Sequence, residues 1–380
     1  MIGDHLDKYS VQSLMDAALA MVPDTVDKRQ GSIIWDALAA GLVQLAEAFI
    51  ELRSFYLDAY VMTAEGEALE MRVAERGIVR YHATRAVKLG VFTTASGDPA
   101  TIPIGARFST TSDTAPLIYI AIEAHSIDNV IQPGQYRLMC ETIGTAGNDY
   151  TGPLLPITVI TGLATAIMTD LLIPAQDAEN DADLLARYLE IVNYPPFGGN
   201  IAHYRQWTLA INGVGTVQIY PIWRGAGTVK VSVIGADYNP ASAALIDIVQ
   251  TILDPEENHG IGLGLAPIGH TVTVSTPEAV VVDIEANITL NGATIGQIQT
   301  EVEAAIAEYL LELRRQFGGT NSSYVLNVYQ SRIIAAIVTV PGVLNVTELF
   351  INGTDADLIL TETAELQQVP VMGEVLLHEV

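Results

Sequence analysis

The chain reads as a multidomain α+β protein with an N-terminal long-helix arm, a central small all-β domain and two C-terminal α/β modules. Three observations predict that layout. Trp35, Leu38, Leu42, Leu45, Phe49, Leu52, Tyr56 and Ala59 alternate steps of three and four, an a/d seam held for almost four heptads. Residues 86–173 then change to short alternating segments broken by Gly, Pro, Asp and Asn. Beyond them, apolar helical and strand patterns alternate to the C-terminus. The boundaries drawn from these shifts are 1–85, 86–173, 174–276 and 277–380.

In the arm, an amphipathic helix is predicted over 10–22, with Val11, Leu14, Met15, Ala18 and Val22 inward. Pro23 ends it, and a polar connector runs to Gly31. The heptad helix, about 27 residues, would be roughly 40 Å long at 1.5 Å per residue. Two readings of it stand: a long core helix packed on its own domain, or a helix that bundles with another subunit. Thr63 is the expected cap of a shorter helix through Arg76, with Gly77 as its stop. Strands are predicted at 87–94, 102–108, 117–122, 134–141 and 158–168, forming a small all-β domain or sandwich. Turn geometry accounts for the Asp and Asn of 144–149. The acidic run 176–183 opens a helix through about Val192, where the macrodipole favours carboxylates; its spacing is not that of an EF-hand.

Residues 194–235 hold a stiff Pro-Pro-Phe-Gly-Gly loop, a helix capped by Asn200 and a hairpin. Ile201, Tyr204, Trp207 or Thr208, and Ile211 give the helix its apolar stripe, and Gly213 stops it. Strands follow at 214–221 and 229–234, joined through 224–227. A helix over 242–253 precedes the glycine-rich run 260–269, which lies between helix and strand, the wrong order for a dinucleotide loop. Strands at 270–275 and 280–290 follow. Thr294 and Gln297 fit a capping box for a helix that stops at Gly318-Gly319. Another helix is predicted over 324–340, then a strand over 344–351 and a short-stranded acidic tail. Helix, Gly-Val, strand occurs twice, around Gly213 and Gly342, pointing to two α/β units of related layout.

Charge and composition exclude several functions. The net charge of −26 argues against general nucleic-acid binding, which needs cations to displace counterions. Residues 231–380 alone carry 19 acidic and 3 basic side chains. Arg72, Arg76, Arg80, Arg85 and Lys88 reverse that balance locally, either as a solvated face or as a contact surface for acidic neighbours, other copies included. Apolar residues make up 49% of the chain and charged ones 16%, so it either buries much of itself or presents apolar faces to partners. No run approaches the roughly 20 apolar residues of a membrane helix; residues 333–344 come nearest. The first ten residues lack signal-peptide character, so cytoplasmic synthesis is expected.

Nothing in the residues makes a positive case for catalysis, a metal or a cofactor. His5, His82, His125, His203, His259, His270 and His378 are scattered without metal-ligand spacing. The lone Cys140 sits in a predicted strand, where a buried thiol outweighs a nucleophile. Asp181/Asp183 and Asp355/Asp357 are pairs that any acidic chain supplies.

An ordered series of blocks carries a resemblance. They are KRQGSIIWDALAAGLVQLAEAF (28–49), TAEGEALEMRVAERGIVRYHATRA (63–86), TIPIGARF (101–108), GTAGNDYTG (144–152) and QDAENDADLLARYL (176–189). The stretch 194–235, GLAPIGHTVTVSTPEAVVVDIEANITL (264–290) and the VPGVLNV turn (340–346) complete it. The chain thus resembles the baseplate J-like family, wedge proteins of contractile phage tails; Gln176 and Asn180 depart mildly, standing where Gly and Ser are expected. The resemblance implies a non-enzymatic structural protein of the virion tail baseplate, assembled in the host bacterial cytoplasm. Copies would join a partner wedge protein in a sixfold ring around the tail hub, clamped by helical bundles. The expected partners are therefore further copies and other baseplate wedge and hub proteins, without nucleic acid or membrane insertion. The interface expectation falls on Trp35, Leu38, Leu42, Leu45, Phe49, Leu52, Tyr56, Arg72, Arg76 and Arg80. The alternatives are a receptor- or glycan-binding tail-tip protein and, behind it, an acidic hydrolase.

Overall fold

The computed structural model describes residues 6–111, 116–127, 130–318 and 326–380, in two compact units. The first unit comprises Met1–His82 and Glu179–Asn193; the second comprises Ala83–Ala178 and Tyr194–Val380.

In the first unit, α1 (Val11–Ala20) starts at Ser10, whose hydroxyl accepts the Ser13 N–H. Helix α2 (Ile33–Asp58) starts the same way at Ser32, which accepts the Trp35 N–H at 3.2 Å. Thr63 does not cap the next helix: its hydroxyl turns back to donate to the Leu57 carbonyl at 2.6 Å, closing the end of α2. Helix α3 (Gly66–Ala74) takes its cap from far along the chain, the Asp181 carboxylate accepting the Gly66 N–H at 2.8 Å. Gly77, at φ 73°, lets the Ile78 N–H reach back to the Val73 carbonyl. Helix α4 (Asp181–Asn193) brings Leu184 onto Leu69, Val73 and Ile78. By length and composition α2 could cross a membrane, the one such helix among the described residues. That corrects the sequence reading, which took 333–344 as nearest. Asp36, Glu47, Glu51 and Arg53 interrupt every continuous apolar run in α2 while leaving its average composition apolar.

The second unit begins with a closed barrel of β1 (Val87–Thr93), β2 (Arg107–Thr110), β3 (Ile118–Ile127), β4 (Val130–Cys140), β5 (Gly152–Pro156) and β6 (Thr165–Ile173). Strand order is β1-β4-β3-β2-β5-β6, all antiparallel, and β6 pairs back onto β1. The sandwich expectation is corrected to a barrel. Residues 102–106 and 158–164, predicted as strand, are loop and turn. Phe92, Phe108, Tyr119, Leu138 and Met168 fill the interior. One end is stopped by residues 144–150. Lys88, 2% exposed, donates to the Asn148 and Tyr150 carbonyls at 2.6 Å each, and the Tyr119 hydroxyl donates to the Gly147 carbonyl. A Cβ on Gly147 would sit 3.0 Å from Cys140, so glycine lets the plug close.

Two three-stranded modules follow. In the first, α5 (Ile201–Leu209) leads into β7 (Val214–Pro221), β8 (Thr228–Gly235), α6 (Ala243–Leu253) and β9 (Thr271–Ser275). Central β8 is antiparallel to β7 and parallel to β9. In the second, β10 (Glu278–Leu290), α7 (Ile295–Arg315), α8 (Gln330–Val338), β11 (Val343–Ile351) and β12 (Gln368–Glu379) build the order β11-β10-β12. Central β10 is antiparallel to β11 and parallel to β12. Both modules thus hold one antiparallel and one parallel neighbour on a central strand. Helix α8 is shorter than the predicted 324–340: the Asp357 carboxylate accepts the Gln330 N–H at 2.8 Å and fixes its start. Gly319 and Tyr324 lie outside the described residues.

Strand β8 is buried on both faces. Val229, Val231 and Val233 face α6, while Ile234 joins Phe317, Leu326 and Val369 of the second module. Cations on backbone carbonyls tie this junction. Arg314, 9% exposed, donates to the Tyr238 carbonyl at 2.7 Å and the Pro370 carbonyl at 2.8 Å. Lys230 donates to the Ala364 and Glu365 carbonyls, and Arg205 to those of Val217 and Gly318. Replacing Arg314 by Met removes its donors from the Pro370 carbonyl, where the bond is buried, and from the part-buried Tyr238 carbonyl. The expected cost is about 2–3 kcal/mol, read as a lower urea midpoint at unchanged slope.

Candidate assembly surfaces

Helix α2 is the most exposed apolar element of the first unit. Of its 26 residues only Ala46 is buried. Helix α1 packs along it, with Tyr9 stacked on Phe49 at 4.1 Å between ring centroids and Asp7 paired with Arg53 at 3.0 Å. At 3.6 residues per turn, Trp35, Leu42 and Ala46 lie along one line of the helix, and Trp35 and Leu42 are half-buried. Leu38 and Phe49 are half-buried too, while Leu45 (43%), Leu52 (41%) and Tyr56 (37%) are exposed on one side of that line. Val43 and Ile50 are exposed on the other. The apolar arc is therefore wider than α1 can cover.

The arginines fall into different environments. Arg80, at the edge of α3, pairs with Glu70 at 2.5 Å and Asp181 at 2.6 Å and donates to the Glu179 carbonyl at 2.7 Å. Arg187 of α4 grips both oxygens of Glu179 at 2.6–2.7 Å, donates to the Val79 carbonyl and lies over the Tyr81 ring at 4.0 Å. Arg72 bonds the Asp58 carbonyl and Glu75. Arg76 is exposed, and so is Arg85, in the second unit. Three of the sequence-predicted interface residues thus share α3 and its margin, with Arg72 and Arg80 engaged inside the chain. The seven apolar ones share α2.

Several histidines elsewhere have structural partners, whereas the Nδ1 of His125 is buried without a hydrogen-bond partner. The His203 ring packs tilted against Trp207, 3.8 Å between centroids, and its Nδ1 accepts the Gly199 N–H; burial lowers its pKa. His270 Nδ1 lies 2.9 Å from the Tyr204 hydroxyl, His259 Nδ1 2.8 Å from buried Asp254, and His378 Nε2 3.1 Å from Glu285. His125 is buried in β3, His82 is exposed, and His5 lies outside the described residues. Cys140 is buried in the barrel. Asp355 and Asp357 both contact Gln330 at the start of α8. Among the described residues, no group of three His, Cys, Asp or Glu side chains is placed to hold a metal ion. Sequence reading missed the cations on carbonyls, because a lone Lys or Arg in a strand or helix carries no sign of its distant acceptor.

The Gly66 N–H, then the Arg80 guanidinium, holds the Asp181 carboxyl below its ordinary value of 3.8. A depressed folded-state pKa stabilises fully above the unfolded value and is lost as pH falls through the folded one. Asp181→Asn should therefore flatten the loss of thermal stability below about pH 4, measured by melts against pH.

Comparison with known proteins follows this architecture. Residues 196–276 match the family model described as Baseplate J-like central domain, and residues 282–377 match the Baseplate J-like protein C-terminal domain. The chain is 33% identical over 377 residues to phage-like element PBSX protein XkdT of Bacillus subtilis, covering 98% of this chain and 99% of that protein. It is 34% identical over 373 residues to uncharacterized protein YqbT of the same organism, covering 97% of each. It is also 29% identical over 227 residues to baseplate protein gp47 of Escherichia phage Mu, 57% of this chain and 60% of that one. Full-length likeness at a third of positions, with two matched modules over the observed sheets, makes this chain a member of the baseplate J-like family.

Proposed function

We propose that the chain is a structural component of the baseplate of a contractile phage or phage-like tail, acting as a wedge protein around the tail hub. The observation that carries the reading is α2, a 26-residue apolar helix with one buried residue. An apolar arc left in water favours association with other helices, by about 25 cal/mol for each Å² covered. Leu45, Leu52 and Tyr56 would meet one neighbour and Val43 and Ile50 another, so the helix serves a bundle of more than two. The neighbours are further copies of the chain and other wedge and hub proteins, joined in a ring. Arg76 lies exposed on the same unit as a contact for acidic side chains. Association would also stabilise the subunit by mass action.

The role is non-enzymatic: its chemistry is that of shape and burial. Membrane insertion is not part of it, since Glu47 and Glu51, near the middle of α2, would each cost roughly a few kcal/mol at the centre of a bilayer. Nucleic acid is not a partner of a chain with net charge −26. The protein would reside in the virion tail baseplate after assembly in the bacterial cytoplasm.

Leu45→Asp with Leu52→Asp places two charges in the seam. The expected result is loss of assembly with co-expressed tail proteins, read by electron microscopy and sizing, while the second unit keeps its melting transition. Unfolding of the whole chain would instead make α2 an ordinary core helix. A wild-type chain that stays monomeric alone and with its tail-gene neighbours would overturn the reading.

A further inference from the structure

The two exposed sides of α2 differ in charge, and the difference selects what can cover one of them. At 3.6 residues per turn, Val43 and Ile50 stand about 40–60° to one side of the buried Ala46 line. Asp36, Glu47, Asp58 and Glu51 follow on that same side, at about 80–140°. The opposite side, with Leu45, Leu52 and Tyr56, carries no charged residue over the matching arc. Val43 is 39% exposed and Ile50 67%. An apolar ridge bordered along its length by carboxylates therefore faces water.

The border has no counter-charge among the described residues. Asp36, Glu51 and Asp58 form no ion pair, and Glu47 takes only a hydrogen bond from Gln44. The strip is unfavourable as it stands. Glu47 and Glu51, four positions apart, repel each other, and Asp58 ends the helix where its dipole disfavours an anion. Elsewhere in the unit the charges are matched: Lys28, Arg29, Arg72, Arg80 and Arg187 all pair with nearby carboxylates. The single cation of α2, Arg53, sits on the Ala46 line within 3.0 Å of Asp7.

A second copy brings the wrong charge to this side. Packed antiparallel, two α2 helices set strip against strip. Packed parallel, they set the strip of one against the Ala46 line of the other, where α1 lies and Arg53 is already paired. Like charge along a helical seam rejects one partner as matched charge recruits another.

We infer that the Val43–Ile50 side of α2 is covered by a helix of a different protein, one whose own apolar seam is flanked by lysine or arginine. The inference rests on the reading of α2 as an assembly helix of a baseplate protein, and it adds the chemistry of the neighbour on this side.

The test titrates the full-length chain with two synthetic helical peptides of the length of α2. Both share one leucine–isoleucine seam; the first is flanked by lysine, the second by glutamate. By fluorescence anisotropy the lysine-flanked peptide should bind roughly tenfold more tightly at about 50 mM salt, as a few exposed ion pairs allow, and the advantage should shrink at about 500 mM. Asp36→Asn with Glu47→Gln and Glu51→Gln should abolish that preference. Val43→Gln with Ile50→Gln should weaken the lysine-flanked peptide although every carboxylate remains. Asp36, Glu47 and Glu51 are exposed, so the neutralised variant should keep the wild-type melting temperature. A lysine-flanked peptide that binds the neutralised variant as tightly as wild type is responding to net charge alone and overturns the inference. Equal affinity for the two peptides, or binding of neither, overturns it too. In co-expression with the tail-gene neighbours, the neutralised variant should assemble about tenfold more weakly. If it assembles as wild type does, the inference falls and the baseplate reading stands. If the wild-type chain stays monomeric with the same neighbours, the reading falls and the inference with it.

Discussion

Cations in this chain are scarce, 18 against 44 acidic residues, and the second unit places several of them on backbone carbonyls in its interior. Lys88 stops the barrel, while Lys230, Arg205 and Arg314 tie one three-stranded module to the other. A buried ion pair would have required desolvating an anion as well. Carbonyls at loop and strand ends are already present, already dipolar, and need donors when they are enclosed. One cation satisfies two of them. The arrangement has a cost that shows in the titration behaviour: burial pushes the Lys88, Lys230 and Arg314 pKa values down. The charged forms persist because their donors reach several acceptors at once.

The first unit solves a different problem with different chemistry. There the cations meet carboxylates. Glu179 and Asp181 precede or open α4, and Arg80 and Arg187 bind them to the margin of α3. Asp181 acts twice, capping α3 through the Gly66 N–H and pairing with Arg80. This network holds short helices in place around a small core of Leu69, Val73, Ile78 and Leu184. Helix α2 is left with apolar surface on either side of its buried line, which is unfavourable in an isolated subunit and useful in an assembly.

The two modules of the second unit share a local device. An apolar helix ends, a glycine turns the chain at φ 91° (Gly213) or 98° (Gly342), and a valine enters the antiparallel strand. Their chain orders differ. In the first module the helix and antiparallel strand precede the central strand; in the second they follow it. The same layout is therefore reached by permuted routes, since sheet pairing depends on adjacency in space.

Local physics was legible in the residues. Asn200 caps its helix, Thr294 and Gln297 form their box, and Gly77, Gly213 and Gly342 take left-handed φ where helices end. Each of these depends on partners within a few positions. The heptad repeat likewise located α2. Closure of the barrel did not show in alternation, because β6 returns to β1 across some eighty residues and the period of a strand says nothing about its neighbour. Thr63 looked like a cap and bonded backward instead, since Asp181 supplied the Gly66 N–H from 115 positions away. Nor could sequence tell Arg80, enclosed by two carboxylates, from Arg76, left in water. What the sequence by itself determined was periodicity, caps and turns, together with family membership. The tertiary structure alone decided which strands pair, where α4 packs, which carbonyls receive the buried cations and which apolar side chains stay uncovered. Those outcomes turn on contacts between residues far apart in the chain, to which local spacing carries no key.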